Sequence, residues 1–258
     1  VELLRVPLER ESAPAARAAG GSSEERCAAL LRVLTQFTSW PTGSSGSDAA
    51  LIVPPSVLAA TMRCAQWRSS SCGALALGCL SGIVDRNCYP ADSEEYALGI
   101  ATGVFQLLNE AMGAAGGGIA ATSAEYREHF TAFLYSFISK LFVRAERAPT
   151  FPTDDFLALL FRYTLEQPSV DGFIACLDLW SLFIGTLEER QLYAEYDDDD
   201  DGSGSGAASA RSDAAYTAGL HQLAMELLRR ISFATNRETL LRLEATGAQL
   251  DALLDKAV

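Results

Sequence analysis

Lysine is almost missing from this sequence: only Lys140 and Lys256 occur, so arginine carries nearly all the positive charge. Histidine is equally scarce, with His129 and His221 far apart in the chain. The six cysteines, Cys27, Cys64, Cys72, Cys79, Cys88 and Cys176, include no Cys-x-x-Cys pair. A zinc centre draws on clustered Cys and His, so the spacing indicates neither a metal site nor a cofactor. Gly-x-Ser-x-Gly and His-Glu-x-x-His are absent too, and no catalytic residue is assigned. Basic residues are outnumbered 20 to 33 by acidic ones, giving a formal charge of −13. That balance argues against nucleic acid, whose affinity comes largely from basic neutralisation of phosphates. It suits basic protein partners, or simply keeps the chain in solution.

Long apolar runs are also lacking. None reaches the roughly 18–20 residues that a membrane span needs, and the longest, 172–187, is interrupted by Asp178 and Ser181. Membrane insertion is therefore not expected. Residues 1–20 have no continuous apolar core, so no secretory signal is read there. The chain starts at Val1 and ends within a helical pattern, and it reads as a segment of a longer polypeptide. The cysteines replace apolar residues at helical spacing, as in "CGALALGCL", which points to reduced, buried thiols of a cytosolic or nuclear protein.

Helical periodicity is abundant. Residues 27–38 place Cys27, Leu30, Leu31, Leu34 and Phe37 on one face, and 72–84 repeat the pattern with Cys72, Leu75, Ala76, Cys79, Leu80, Ile83 and Val84. Between 130 and 142 the series is Phe130, Phe133, Leu134, Phe137, Ile138, Leu141 and Phe142. A 3.6-residue turn converts each series into a stripe. Weaker versions predict helices near 54–67, 93–113, 153–166, 213–232 and 238–255. Ser93, Thr153 and Ser169 are the candidate N-caps, with carboxylates in the first turn that favour the helix dipole. Three stretches read as loops: 41–52, the Gly-rich 113–122, and the acidic, Gly/Ser-rich 195–213, which is expected to be disordered. Alternate helices begin near 26, 72, 124 and 169, close to the two-helix period of about 40–47 residues in HEAT-type repeats. The expected fold is all-α, with residues 1–258 forming one α-solenoid segment of about four to five antiparallel helix pairs stacked in a right-handed superhelix.

Several stretches have more specific wording. "CAALLRVLTQFTSWP" (27–41), "CGALALGCLSGIVDRNCYP" (72–90) and "FLALLFRYTLEQPSVDGFIACLDLWSLFIGTL" (156–187) resemble the exportin-6 branch of the karyopherin-β nuclear transport receptors. The resemblance covers roughly residues 24–188, and more loosely the helices at 213–255. It lapses at 1–23, at the glycine insert 113–118 and at the acidic loop. It implies a HEAT-repeat receptor that binds Ran-GTP and cargo together in the nucleus and releases both in the cytoplasm. Nucleoporins and, for this branch, actin with profilin are the implied partners. A HEAT-type scaffold without Ran dependence is the alternative reading.

The helical wheel separates the polar residues of the last stretch from its core. Asp171, Asp178, Ser181 and Gly185 cluster within roughly 80° of one another, and the first three are placed towards a concave, partner-facing surface. Phe173, Leu177, Trp180, Ile184 and Leu187 are expected to form the buried seam, with Cys176 on its flank. A nucleophilic set of Cys176, His129 and Asp178 is rejected, because burial among Leu, Phe and Ile would raise the thiol's pKa. The run Asp197, Asp198, Asp199, Asp200 and Asp201 reads as a solvated acidic loop, or as a loop that attracts the basic face of a partner.

Overall fold

A computed structural model describes residues 2–13, 21–39, 52–68, 70–90, 93–113, 118–197 and 214–231. It divides into two compact units, Val1–Gly204 and Ser205–Val258. The described residues of the first unit form helices α1 (Glu2–Glu11), α2 (Gly21–Ser39), α3 (Pro55–Ala65), α4 (Ser71–Asp85), α5 (Glu94–Met112), α6 (Ala124–Lys140), α7 (Phe142–Arg147), α8 (Thr153–Leu165) and α9 (Val170–Asp197), with one 3-10 turn at Ile119–Ala121. No strand occurs among them.

These helices lie in two rows. In one, α4 packs on α2, α6 packs on α4, and α9 packs on α6. In the other, α3 packs on α1, α5 on α3, and α7 and α8 on α5. Cross-row packing of α1 on α2, α3 on α4 and α8 on α9 joins them. This is the expected all-α HEAT-repeat solenoid, in which each pair buries a face against its neighbours. Helix α4 shows the consequence. It is apolar on nearly every side, burying Leu77 as well as all of the predicted stripe except the half-buried Leu75, because it has α2, α3 and α6 around it. In the second unit the described helix is α10 (Ala214–Ile231), where Tyr216 and Leu223 are buried. The helix expected at 238–255, residues 41–51 of the first expected loop, the Gly-rich residues 114–117 and residues 198–213 of the acidic stretch lie outside the described residues. Residues 195–197, expected in the acidic loop, are instead the helical end of α9.

Capping fixes several boundaries. Ser70, Ser93 and Ser123 accept from the backbone N–H groups of Gly73, Tyr96 and Tyr126, and Ser169 Oγ accepts from Gly172 N at 3.1 Å. Thr153 does not cap. It is the first helical residue of α8 and is buried, while Pro152 holds the cap position without a side-chain bond. The carboxylates of Asp154 and Asp155 do lie in the first turn of α8.

Three further features depart from the periodicity. Helix α1 forms where none was expected, despite Pro7 inside it. Its Leu8 is buried, and Glu11 accepts from Ser23 Oγ at 2.7 Å and pairs with Arg26 of α2 at 3.2 Å. The Phe-rich helix ends at Lys140, and Phe142 starts α7 after a break at Leu141. Phe37, expected on the buried face of α2, is 45% exposed.

The bonds around Glu11 hold its carboxyl below the ordinary value of 4.5, the Ser23 hydroxyl contributing most. A depressed folded-state pKa stabilises the fold above the ordinary carboxylate value, and that contribution is lost as pH falls through the folded value. The urea midpoint of wild type should therefore drop more steeply than that of Glu11→Gln between pH about 6 and about 3. Parallel pH profiles would count against this.

The "RNCYP" turn after α4 shows why its residues take that order. Asn87 adopts φ 52°, the left-handed region, so the N–H groups of Asn87 and Cys88 return to the carbonyls of Val84 and Ile83 at 3.1 and 2.9 Å. The Cys88 carbonyl then accepts from Val53 N at 2.9 Å, and Tyr96 OH donates to the Val53 carbonyl. Asn87→Ala should cost about 1 kcal/mol in urea unfolding, while Asn87→Gly should be neutral or stabilising. Equal losses for both variants would show that the side chain, rather than the backbone conformation, matters there.

Candidate partner-facing groove

Helix α9 is built around an aromatic core. Trp180 Nε1 donates to Thr164 Oγ1 of α8 at 2.9 Å, and the Trp180 ring meets Phe183 edge-on with centroids 6.0 Å apart. Cys176, Leu179, Trp180, Phe183 and Leu187 are the buried residues of its described part. The buried face is thus turned from the expected seam. Leu179 and Phe183 take the central places, Phe173 and Leu177 are half-buried, and Ile184 is 37% exposed. The stretch Val170–Glu189, with mean hydropathy 1.6, is long and apolar enough to cross a membrane by length and composition. The sequence reading missed this because it looked for an unbroken run. Packing on α6 and α8 buries 28% of the stretch.

Cys176 is fully buried, and burial pushes its thiol up to about 12. A thiol at that value is protonated at neutral pH and is no nucleophile. Among the described residues, no hydrogen bond joins Cys176, His129 and Asp178. His129 packs near Gly78 of α4, and Asp178 faces out of α9.

The polar side of α9 lies against α6 across a groove of about 780 Å³. Asp171 and Asp178 line it from α9, Glu128, Thr131 and Tyr135 from α6, and Asp85 from the end of α4. A second depression of about 750 Å³ shares Asp178 and Tyr135 and adds Ser181, Gly185 and Glu189. Asp171, Asp178 and Ser181 are all exposed, and all line these two depressions. Among the described residues lining the larger groove are four acidic ones, Asp85, Glu128, Asp171 and Asp178, and Arg127, whose guanidinium donates to the Thr122 carbonyl. Asp197 closes α9 with its side chain outside the described residues, and Asp198–Asp201 also lie outside them.

Sequence reasoning missed Gln167 at the rim of the larger groove. It is 9% exposed, its side chain lies near the Tyr163 hydroxyl and the Cys176 thiol, and its Nε2 has no hydrogen-bond partner of normal geometry. An unpaired buried amide donor costs roughly 1–3 kcal/mol. Tyr163 itself is satisfied, by Thr131 Oγ1 at 2.9 Å and by donation to the Arg127 carbonyl at 3.3 Å.

Comparison with known proteins places these repeats. Exportin-6 of Danio rerio is 33% identical over 182 residues, which is 67% of this chain and 15% of the relative. Exportin-6 of Dictyostelium discoideum is 32% identical over 176 residues, 68% of this chain and 16% of the relative. Exportin-6 of Homo sapiens is 36% identical over 123 residues, 46% and 11%. This chain is an exportin-6-like segment. It spans about 15% of the length of these relatives. No family model matches the chain, and no solved structure matches it significantly. The exportin-6-like wording is mainly packing: Trp180, Phe183 and Cys176 hold α9 in place, and Asn87, Cys88 and Pro90 close the turn after α4.

Proposed function

We propose that this segment belongs to a nuclear export receptor that carries protein cargo together with Ran-GTP, the cargo being actin with profilin. The similarity to exportin-6 proteins as distant as those of Danio rerio and Dictyostelium discoideum is the observation that carries the reading. The receptor would shuttle between nucleus and cytoplasm and touch nucleoporins on the way. Chemistry has no part in it. The mechanism is linkage: Ran-GTP and cargo favour the same conformation of the stacked repeats, so each raises the affinity for the other.

Within this segment the α6–α9 groove is the proposed contact surface, through Asp171, Asp178 and Ser181, with the acidic run Asp197–Asp201 as a further attracting element. A basic partner segment would answer the carboxylates. The test is a pull-down on the full-length protein. Actin–profilin should be retained with Ran-GTP and lost with Ran-GDP. Equal retention with Ran-GTP, Ran-GDP and no Ran would refute export and favour a HEAT-type scaffold.

A further inference from the structure

Three of the six cysteines converge. Cys27 on α2, Cys64 near the end of α3 and Cys72 at the start of α4 bring their Sγ atoms within 4.8 Å of one another. The Cys64–Cys27 pair is at 3.9 Å. A disulfide needs about 2.05 Å, and all three are free thiols with no solvent exposure. Their surroundings differ from those of the other buried cysteines. Cys79 meets the Leu31 carbonyl at 3.2 Å and the Thr35 hydroxyl at 2.8 Å, and Cys176 has the side chains of Thr131, Thr164 and Gln167 beside it. The trio's sulfurs instead face one another. We propose that Cys27, Cys64 and Cys72 form a tris-thiolate site for a thiophilic d10 cation, Zn(II) or Cu(I), that clips α2, α3 and α4 together.

The geometry suits such an ion. Metal–sulfur bonds of about 2.3 Å in a tetrahedral arrangement set sulfurs roughly 3.8 Å apart, close to the Cys64–Cys27 separation. The other pairs need to contract by an ångström at most. Three soft donors select Zn(II) or Cu(I) over hard cations. The N-terminus of α4 presents its positive end to Cys72, and Arg26 supplies a compensating charge beside Cys27. Glu11 and Glu24 oppose the charge from the same side. A bound cation would draw protons off the three thiols. Among the described residues no fourth Cys, His, Asp or Glu joins the cluster. Cu(I) would be content with three thiolates, and Zn(II) would require one added ligand.

The test uses the whole chain, purified under reducing conditions and titrated separately with Zn(II) and with Cu(I) against a chromophoric chelator. One ion should bind at about one equivalent per chain, raise the melting temperature and, at a urea concentration where the metal-free chain reacts, protect Cys27, Cys64 and Cys72 from alkylation. The ion that does so identifies the site's occupant. Cys64→Ala should lower its affinity by more than ~100-fold, while Cys88→Ala should not change it. If Cys64→Ala fails to fold, the alkylation pattern of the wild type decides. Absence of stoichiometric binding by both ions would overturn the proposal.

Discussion

Replacing Phe137 with Ala should destabilise the first unit by roughly 3–5 kcal/mol, the cost of emptying a fully buried aromatic site. Phe137 is the hub of the rings between α6, α7 and α8. It meets Phe156 at 5.6 Å and 73°, Phe142 at 6.4 Å and 88°, and Phe151 at 6.3 Å and 56°. Phe142 carries the contacts onward to Phe183 of α9 at 5.4 Å and 77°. Edge-on pairs of this kind add about 0.5–1.5 kcal/mol each beyond their buried area. The total stability of a domain is only about 5–15 kcal/mol, so the variant should sit near the limit of folding. Because α9 borders the groove and rests on this ring chain, partner binding should weaken with stability. Tyr135→Ala provides the contrast, since Tyr135 is on the same helix but 46% exposed, and it should cost under about 1 kcal/mol. Equal urea midpoints for the two variants would show that the ring cluster does not hold the repeats together.

The second large effect concerns binding rather than folding. Asp171→Arg combined with Asp178→Arg reverses two exposed charges that line the same groove. Stability should move by no more than about 0.5 kcal/mol. Affinity of the full-length protein for the partner that occupies the groove should fall by about 10–100-fold, equivalent to roughly 1.4–2.7 kcal/mol. The loss should shrink at high salt, where exposed charges beyond a Debye length of about 3 Å at 1 M are screened. Unchanged affinity for both Ran-GTP and actin–profilin would remove the α6–α9 groove from the contact surface and leave the family assignment standing.

How much of this was legible beforehand follows from what is local in the chain. Periodicity located α2 to α6 and α8 to α10, and Ser93 and Ser169 marked the starts of α5 and α9, because a helix announces its own spacing. Helix α1 was not legible: Pro7 and an alternation of charge mask a helix that is held through Leu8 and the bonds of Glu11 to α2. The break at Leu141 was hidden because Phe142 fits the α6 stripe, yet it serves a separate helix that turns its ring to Phe156 and Phe183. On α9 the wheel picked out the polar side, Asp171, Asp178 and Ser181, but set the buried seam too far round. A wheel has no knowledge of where α6 and α8 sit, and their positions are what bury Leu179 and Phe183 in place of Ile184. The cysteine trio lies beyond any spacing rule, because its members are 37 residues apart between Cys27 and Cys64 and come from three helices. Gln167 was visible only as the residue before a proline, and its unpaired amide is a property of the packed groove.

Linkage between Ran and cargo is the central claim, and a closed thermodynamic cycle tests it most directly. The dissociation constant of actin–profilin from the full-length protein is measured with and without saturating Ran-GTP, and that of Ran-GTP with and without saturating actin–profilin. Coupling requires both constants to tighten by the same factor, about 5–150-fold. A factor of one on both sides of the cycle would contradict it.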